Sequence, residues 1–554
     1  MKDLAVAALR PPRLCFSMKP HDPSDAPRSD AHRIRYLLAI STIAGVIALL
    51  SIHRLDAADV CGANEAVEGV FLQQMVEHGA LLFPVENGRA PMYKPPLFHW
   101  TATALDRAAG IKKVTSFNLR ITSALYATAG ALLTMGFAYG LLGPSAALLS
   151  GLFLAASYQY IEEARIGRVD MTLCFFETLA LFAFIWWYAP NPRTSRASPA
   201  SNAPSMAPPT RTNAIRYLFA TALGLGVLAK GPVGAILPAL ACGIFLIAEH
   251  RLRDLRALAT PGPVILALAV ASSWYGACLL GQRYGFLNRQ IGSENFGRFF
   301  GALGSMAPWY YVKPLLLNSA PLSLLVPIAV FAALRTYWTS PLDTDSPAIA
   351  AARLLAIFWI VTVTFFTIAA YKRRAYLLPL WPAAAVIFAW WLQELTHARW
   401  GRILRHAVGL ICLALVVFNF IYIPRREVRD CGDDSFREAG AEINRIVGRD
   451  EPLYIYGLSD EPAPLLFYLD RDAPPLAGKL GDAPPGYIIV PANIWNEKKD
   501  EALDLTPVME STSGRPRLVL LRRAAGSGRG TACELADSAY RRADLSCWCW
   551  GADG

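Results

Sequence analysis

Charge is scarce in this chain. Only 17% of its 554 residues are Asp, Glu, Lys or Arg, where an average soluble domain carries roughly 25%. Hydrophobic residues make up 54% of the chain, and the mean hydropathy is +0.32. Apolar windows of about 20 residues recur from Tyr36 to Ile423, each long enough to cross a bilayer core. One water-soluble core could not bury them all, so an ordinary soluble domain is excluded and a polytopic α-helical membrane protein is implied. No apolar signal-peptide run precedes Tyr36; residues 1–35 read as a polar, Pro-rich cytoplasmic tail. No spacing among the ten cysteines resembles a zinc site. Cys174, Cys242, Cys278 and Cys412 fall in apolar windows as small core residues. Cys431, Cys533, Cys547 and Cys549 fall in the polar tail, where an oxidising compartment could pair them. No basic stripe interleaves with aromatics in a polar segment, so the net charge of +10 points to basic loops beside a membrane, not to nucleic acid.

What is present is a series of spans, about 11–13 transmembrane helices in all. The clearest windows are 36–53, 117–142, 144–160, 170–189, 215–230, 232–249, 262–281, 314–335, 351–370, 375–394 and 403–423. Arg33, Arg35, Arg193, Arg196, Arg211, Arg216, Arg251, Arg253, Arg256, Arg399 and Arg402 then share one side, which the positive-inside rule makes cytoplasmic. The expected organisation is a membrane domain over 36–424, with long outer segments at 54–116 and 282–313, and a soluble domain over 425–554. Short β-like runs at Leu453–Tyr456, Tyr487–Val490 and Leu518–Leu521 make that tail a small α/β domain.

The first outer segment opens Asn64-Glu65 and carries Val67, Val70, Phe71 and Met75 at helical spacing, the pattern of an amphipathic helix lying on the membrane. Asn64 suits its N-cap, and Glu65 either favours the helix dipole or lines a site. Two prolines follow Lys94 and hold the backbone extended, which aims the ammonium; a headgroup-anchoring Lys is the plainer alternative. Asp170 heads an apolar run and could cap it, act as a general base, or do both. Arg165, Arg168, Lys372, Arg373 and Arg374 fall on the outer side against the charge rule, as headgroup anchors or as ligands of a lipid phosphate. Glu294, Arg298 and the aromatic run around Tyr310 could close over a substrate or form an interface belt.

In order, helix 64–75, Gly79, Pro84, Asn87-Gly88 and Lys94-Pro95-Pro96 come first. The Arg165–Asp170 segment, Lys230-Gly231-Pro232, Trp274-Tyr275, Lys372-Arg373-Arg374 and Tyr376–Pro379 follow. This series resembles the GT-C glycosyltransferases of the protein O-mannosyltransferase and lipid A aminoarabinose transferase kind, from Leu55 to Pro382. The resemblance implies inverting transfer of a sugar from a polyprenyl-phosphate carrier to a lipid, glycan or protein hydroxyl. It places the reaction at the outer face of a bacterial cytoplasmic membrane, with a periplasmic C-terminal domain, and gives no reason to invoke a metal or other cofactor. It assigns Asp170 and Glu65 to the acidic site. Lys94, Arg165, Lys372, Arg373 and Arg374 are expected on the carrier phosphate, with Glu294, Arg298 and Tyr310 as possible substrate contacts. The family's usual Asp is replaced by Asn64, which can hydrogen-bond an acceptor but cannot take its proton; Glu65, Asp170 or Asp59 would then supply the base. A transporter of lipid-linked sugar and an inactive glycolipid-binding relative are the alternatives.

Overall fold

The computed structural model describes residues 30–524, apart from Arg89, 189–212, Leu303, 340–345, 396–398, 459–461 and Asp470. Arg193, Arg196, Arg211, Cys533, Cys547 and Cys549, and all but the end of the tail 1–35, therefore lie outside the described residues. Each expected span falls on a helix, because an apolar run of that length can satisfy its backbone in lipid only by intrahelical hydrogen bonds. Seven helices among the described residues are long and apolar enough to cross a membrane.

The chain begins with α1 (Asp30–Ile52), then α2 (Ala63–Val76), the short hairpin β1 (Val85–Glu86) and β2 (Ala90–Pro91), and α3 (Leu97–Ala108). It continues through α4 (Ser116–Leu142), α5 (Pro144–Ala156), α6 (Tyr158–Ala164), α7 (Val169–Tyr188), α8 (Asn213–Lys230) and α9 (Val233–Ala248). Further apolar helices are Pro261–Leu280, Leu322–Thr339, Pro347–Ile368, Leu380–Leu395 and Arg399–Cys431. Four windows differ from expectation: 144–160 breaks at Ser157 between α5 and α6, 375–394 starts its α-helix only at Leu380, and two more differ as follows. The window 314–335 breaks at 318–321 and its long helix runs from Leu322 to Thr339, because Pro321 has no N–H to carry a helix through. The last span runs unbroken through Pro424 to Cys431, so the tail's own elements begin at Gly432 rather than near 425.

The tail is built on a four-stranded sheet of β3 (Leu453–Ile455), β4 (Gly486–Pro491), β5 (Leu505–Glu510) and β6 (Leu518–Arg523), in the order β3-β4-β6-β5. β3 and β4 are parallel, and the other two pairings are antiparallel. β5 was not among the expected runs; four of its six residues, Thr506, Pro507, Val508 and Glu510, are exposed, so no buried apolar run marks it.

The tail packs on α2 and not beside it. Leu72, Phe98 and Leu119 share one apolar core with Phe467, Leu466 and Ile443. A Cβ at Gly69 would lie 2.6 Å from the Phe467 ring. Helix α2 is therefore no surface-lying helix: its apolar stripe is buried, and the opposite face is covered too, with Glu65, Glu68 and Gly69 all buried. Asn87 fastens the hairpin to the tail by donating to the Ala473 carbonyl (2.7 Å) and accepting from the Ala473 N–H (2.6 Å).

A disulfide joins Cys61 to Cys431, 370 residues apart, while Cys174, Cys242, Cys278 and Cys412 are free and buried as expected. The cross-link closes a very long loop that begins just ahead of α2, and such links are worth about 2–4 kcal/mol. Cys61→Ser is expected to lower the thermal unfolding midpoint in detergent. Adding reductant should lower the wild-type midpoint toward that of the variant and leave the variant unchanged.

Candidate active site

The N-terminus of α2 points its first turn into the molecule. Gly62 is the N-cap, so Asn64 lies one residue inside the helix and does not cap it. Its Oδ1 accepts from Arg373 Nη1 at 2.7 Å, which leaves the amide N–H groups for other partners. Glu65 turns away toward α4. Arg120 donates to it twice, at 2.7 and 2.9 Å, and the Gly167 N–H donates at 2.8 Å. Burial favours the neutral acid, but these donors, Arg120 first, hold the Glu65 carboxyl below the usual carboxylate range. One helical turn on, Glu68 is fully buried and ion-pairs with Lys94. His99 Nε2 lies 3.1 Å from the other Glu68 oxygen, and Tyr93 donates its hydroxyl at 3.3 Å. Burial pushes Glu68 up, yet Lys94 and His99 bring it down to about 2. Burial also lowers the Lys94 ammonium, against the pull of Glu68.

Asp170 sits in the first turn of α7. Arg168 Nη2 is 2.8 Å from its Oδ2, and Lys230 pairs with its Oδ1. Lys230 ends α8 where Gly231 takes φ +102°, a left-handed turn that glycine adopts without the strain other residues meet. The ammonium also lies 4.5 Å from the centre of the Tyr376 ring. Behind Asp170, Glu163 Oε2 is 3.9 Å from Arg168 Nη1. Burial raises Glu163 to about 7, and the nearby Asp170 and Glu162 add to it against Arg168 and Arg374.

Two cavities open beside these groups. One, of about 370 Å³, lies between the membrane domain and the tail, with Asn64, Arg289 and Arg373 on one side and Ile455, Leu458 and Leu466 on the other. The second, of about 330 Å³, is walled by Phe296, Phe299, Phe300, Phe365 and Phe366 and reached by Lys94 and Lys230. Tyr93, Glu294 and Arg298 line both. Arg298 and Glu294 are themselves paired at 2.8 Å, and Arg298 Nη1 is 3.4 Å from the Tyr376 hydroxyl. Glu294 lies in a π-helical stretch, Asn288–Gly297, a local geometry common at functional sites.

Asn64, Lys94, Arg373, Glu294 and Arg298 thus line the two cavities, while Asp170 lines neither and is linked to the second through its ion pair with Lys230. Several expected residues are placed elsewhere. Arg165 donates to Glu427 at 2.7 and 2.8 Å and to the carbonyls of Leu50 and His53, bracing the end of α1. Lys372 turns inward to the Ala369 carbonyl at 2.6 Å. Arg374 pairs with Glu162 at 2.6 Å. Asp59 is taken by Arg437 and Ser435 of the tail. Tyr310 packs edge-on to Tyr311 with 5.1 Å between ring centres and is not part of either cavity wall. Arg168, expected as a headgroup anchor or phosphate ligand, pairs with Asp170 instead, and Glu68 and Lys230 stand at the site although neither was assigned a role there. Glu68 lies three residues after Glu65, and Lys230 stands alone at the end of an apolar run; both are signals a sequence carries.

Residues 73–277 match the family described as Dolichyl-phosphate-mannose-protein mannosyltransferase, so the chain is similar to the GT-C glycosyltransferases of the protein O-mannosyltransferase and aminoarabinose transferase kind. More particularly, the fold is similar to that of ArnT from Cupriavidus metallidurans bound to undecaprenyl phosphate. The TM-score is 0.71 at 17% identity, covering 90% of this chain and 99% of that one. In sequence, an uncharacterized protein of Aquifex aeolicus is 26% identical over 63% of this chain and 62% of its own length. An undecaprenyl phosphate-alpha-4-amino-4-deoxy-L-arabinose arabinosyl transferase of Pseudomonas fluorescens is 26% identical over 55% of this chain and 52% of its own. The matched region therefore spans between half and two thirds of these two relatives.

Proposed function

We propose that the chain is an inverting glycosyltransferase that moves a sugar from a polyprenyl-phosphate carrier to a hydroxyl of a lipid, glycan or protein acceptor. The observation that carries this reading is the pair of cavities with a common wall at Tyr93, Glu294 and Arg298. The aromatic cavity suits a polyprenyl chain, and its two ammonium groups, Lys94 and Lys230, suit the phosphate. The other cavity, between Asn64, Arg373 and the tail, suits the acceptor. Relatives named for undecaprenyl phosphate support the same carrier class.

The chemistry follows from where the charges sit. The acceptor oxygen attacks the anomeric carbon, the bond from that carbon to the phosphate oxygen breaks, and its electron pair stays on the phosphate. Lys94 and Lys230 stabilise that charge, so the leaving group needs no proton. Asp170 takes the acceptor's proton. At rest both its oxygens are held by cations; phosphate that draws Lys230 away frees Oδ1 for the proton. Asn64, oriented by Arg373, donates to the acceptor. A single displacement inverts the anomeric centre. We place the reaction on the outer side of a bacterial cytoplasmic membrane; the Cys61–Cys431 bond beside the cavity fits an oxidising compartment.

Asn64 also favours a second reading, a relative that binds glycolipid without turnover; nothing among the described residues favours a transporter. The test is transfer from a panel of radiolabelled polyprenyl-phosphate sugars by wild type and Asn64→Asp. Turnover by the wild type supports the enzyme. Turnover by the variant alone, whose new carboxylate faces Arg373, would make the wild type an inactive relative.

A further inference from the structure

Lys94 does not stand free before the aromatic cavity: its counter-charge is already inside the protein. Glu68 is fully buried, and the carboxylate is divided between the Lys94 ammonium on one oxygen and His99 Nε2, 3.1 Å away, on the other. His99 is fully buried as well, wedged edge-on against Phe71 and Phe98 at 6.1 and 5.2 Å, and neither of its ring nitrogens, nor Glu68 Oε2, has a hydrogen-bond partner among the described residues. A phosphate that engages Lys94 must compete with Glu68 for it. Once it succeeds, Glu68 is a buried carboxylate that has lost its cation, which is costly unless another positive charge takes over. Among the described residues, only His99 is in contact with the abandoned carboxylate and able to acquire a charge. The other groups are fixed: Tyr93 already donates to Glu68, and Arg168 and Asp170, which face Lys94 from the turn before α7 and from its first turn, are paired with each other.

We propose that Glu68 and His99 are a proton-linked positioning pair for Lys94: carrier binding transfers Lys94 from Glu68 to the phosphate, and His99 takes up a proton from solvent to replace it. The proposal rests on the carrier reading above and extends it to two residues outside both cavity walls. Charge balances at each stage. Before binding, Lys94 and Glu68 cancel around a neutral imidazole; afterwards Lys94 is matched by the phosphate and Glu68 by the imidazolium. A merely structural role for His99 would involve no change in bound protons.

Titration calorimetry of purified protein in detergent tests this, run in buffers of different ionisation enthalpy. The probe is undecaprenyl methyl phosphate, a diester whose single charge does not titrate near neutral pH. Wild type is expected to take up about one proton per carrier bound, with affinity rising about tenfold for each pH unit lowered across the linked range. His99→Gln should bind without uptake and with flat pH dependence, and Glu68→Gln should bind without uptake because no carboxylate is left to neutralise. Wild-type binding with no proton uptake overturns the proposal, even if neither variant folds. Uptake retained in His99→Gln also overturns it, and assigns the proton to Asp170 after release from Lys230. Absence of binding by wild type overturns the carrier reading itself.

Discussion

Asp170→Asn is expected to lower the proposed sugar transfer by about 10²–10⁴-fold, the range that a positioned general base contributes. Asn keeps the size and one acceptor oxygen of Asp170, so the hydrogen bonds to Arg168 and Lys230 survive in part, but it has no site for the acceptor's proton. The loss should therefore fall on kcat more than on the affinity for the carrier. Calorimetry on the same variant separates the two effects: near-normal carrier binding with collapsed turnover supports the assignment. Undiminished turnover would remove Asp170 from the reaction and leave it as a counter-ion for Lys230.

The second large effect is on folding. Arg120→Met is expected to destabilise the protein by about 3–5 kcal/mol, because it strands the buried Glu65 carboxylate without its partner. It also removes donors to the carbonyls of Leu55 and Ala58, which lie just ahead of α2. The expected result is a clear fall in the thermal midpoint of protein in detergent. The double variant Glu65→Gln with Arg120→Met should recover part of that fall, since the stranded charge is gone. Equal loss in the single and double variants would contradict a structural role for the pair. Recovery in the double variant would make Glu65 a brace under the site and leave the proposed chemistry to Asp170.

How far the sequence could be read depends on the length scale of each interaction. Span length and turn chemistry are local, so every apolar window falls on helix, with breaks at Ser157 and Pro321 and an extension of the last helix through Pro424. Lys94 and Asp170 were legible because charge beside an apolar run is costly and needs a reason. Which cation serves which carboxylate was not legible. Lys230 is 60 residues from Asp170, and Arg373 is 309 residues from Asn64, so only the packed fold decides these pairs. The triplet Lys372-Arg373-Arg374 shows the consequence. Three adjacent cations with one expected role point three ways, to backbone carbonyls, to Asn64 and to Glu162. Similarly, the periodicity of α2 marked its apolar stripe correctly, but nothing local revealed that the tail domain covers the other face.

The central claim is a single displacement at a sugar carried on a polyprenyl phosphate. It is tested most directly by incubating wild-type protein with a donor labelled with ¹³C at the anomeric carbon and following that carbon by NMR. The account predicts release of free polyprenyl phosphate together with a product of opposite anomeric configuration to the donor. Retained configuration, or a donor panel that stays intact in the presence of lipid, glycan and protein acceptors, would contradict it.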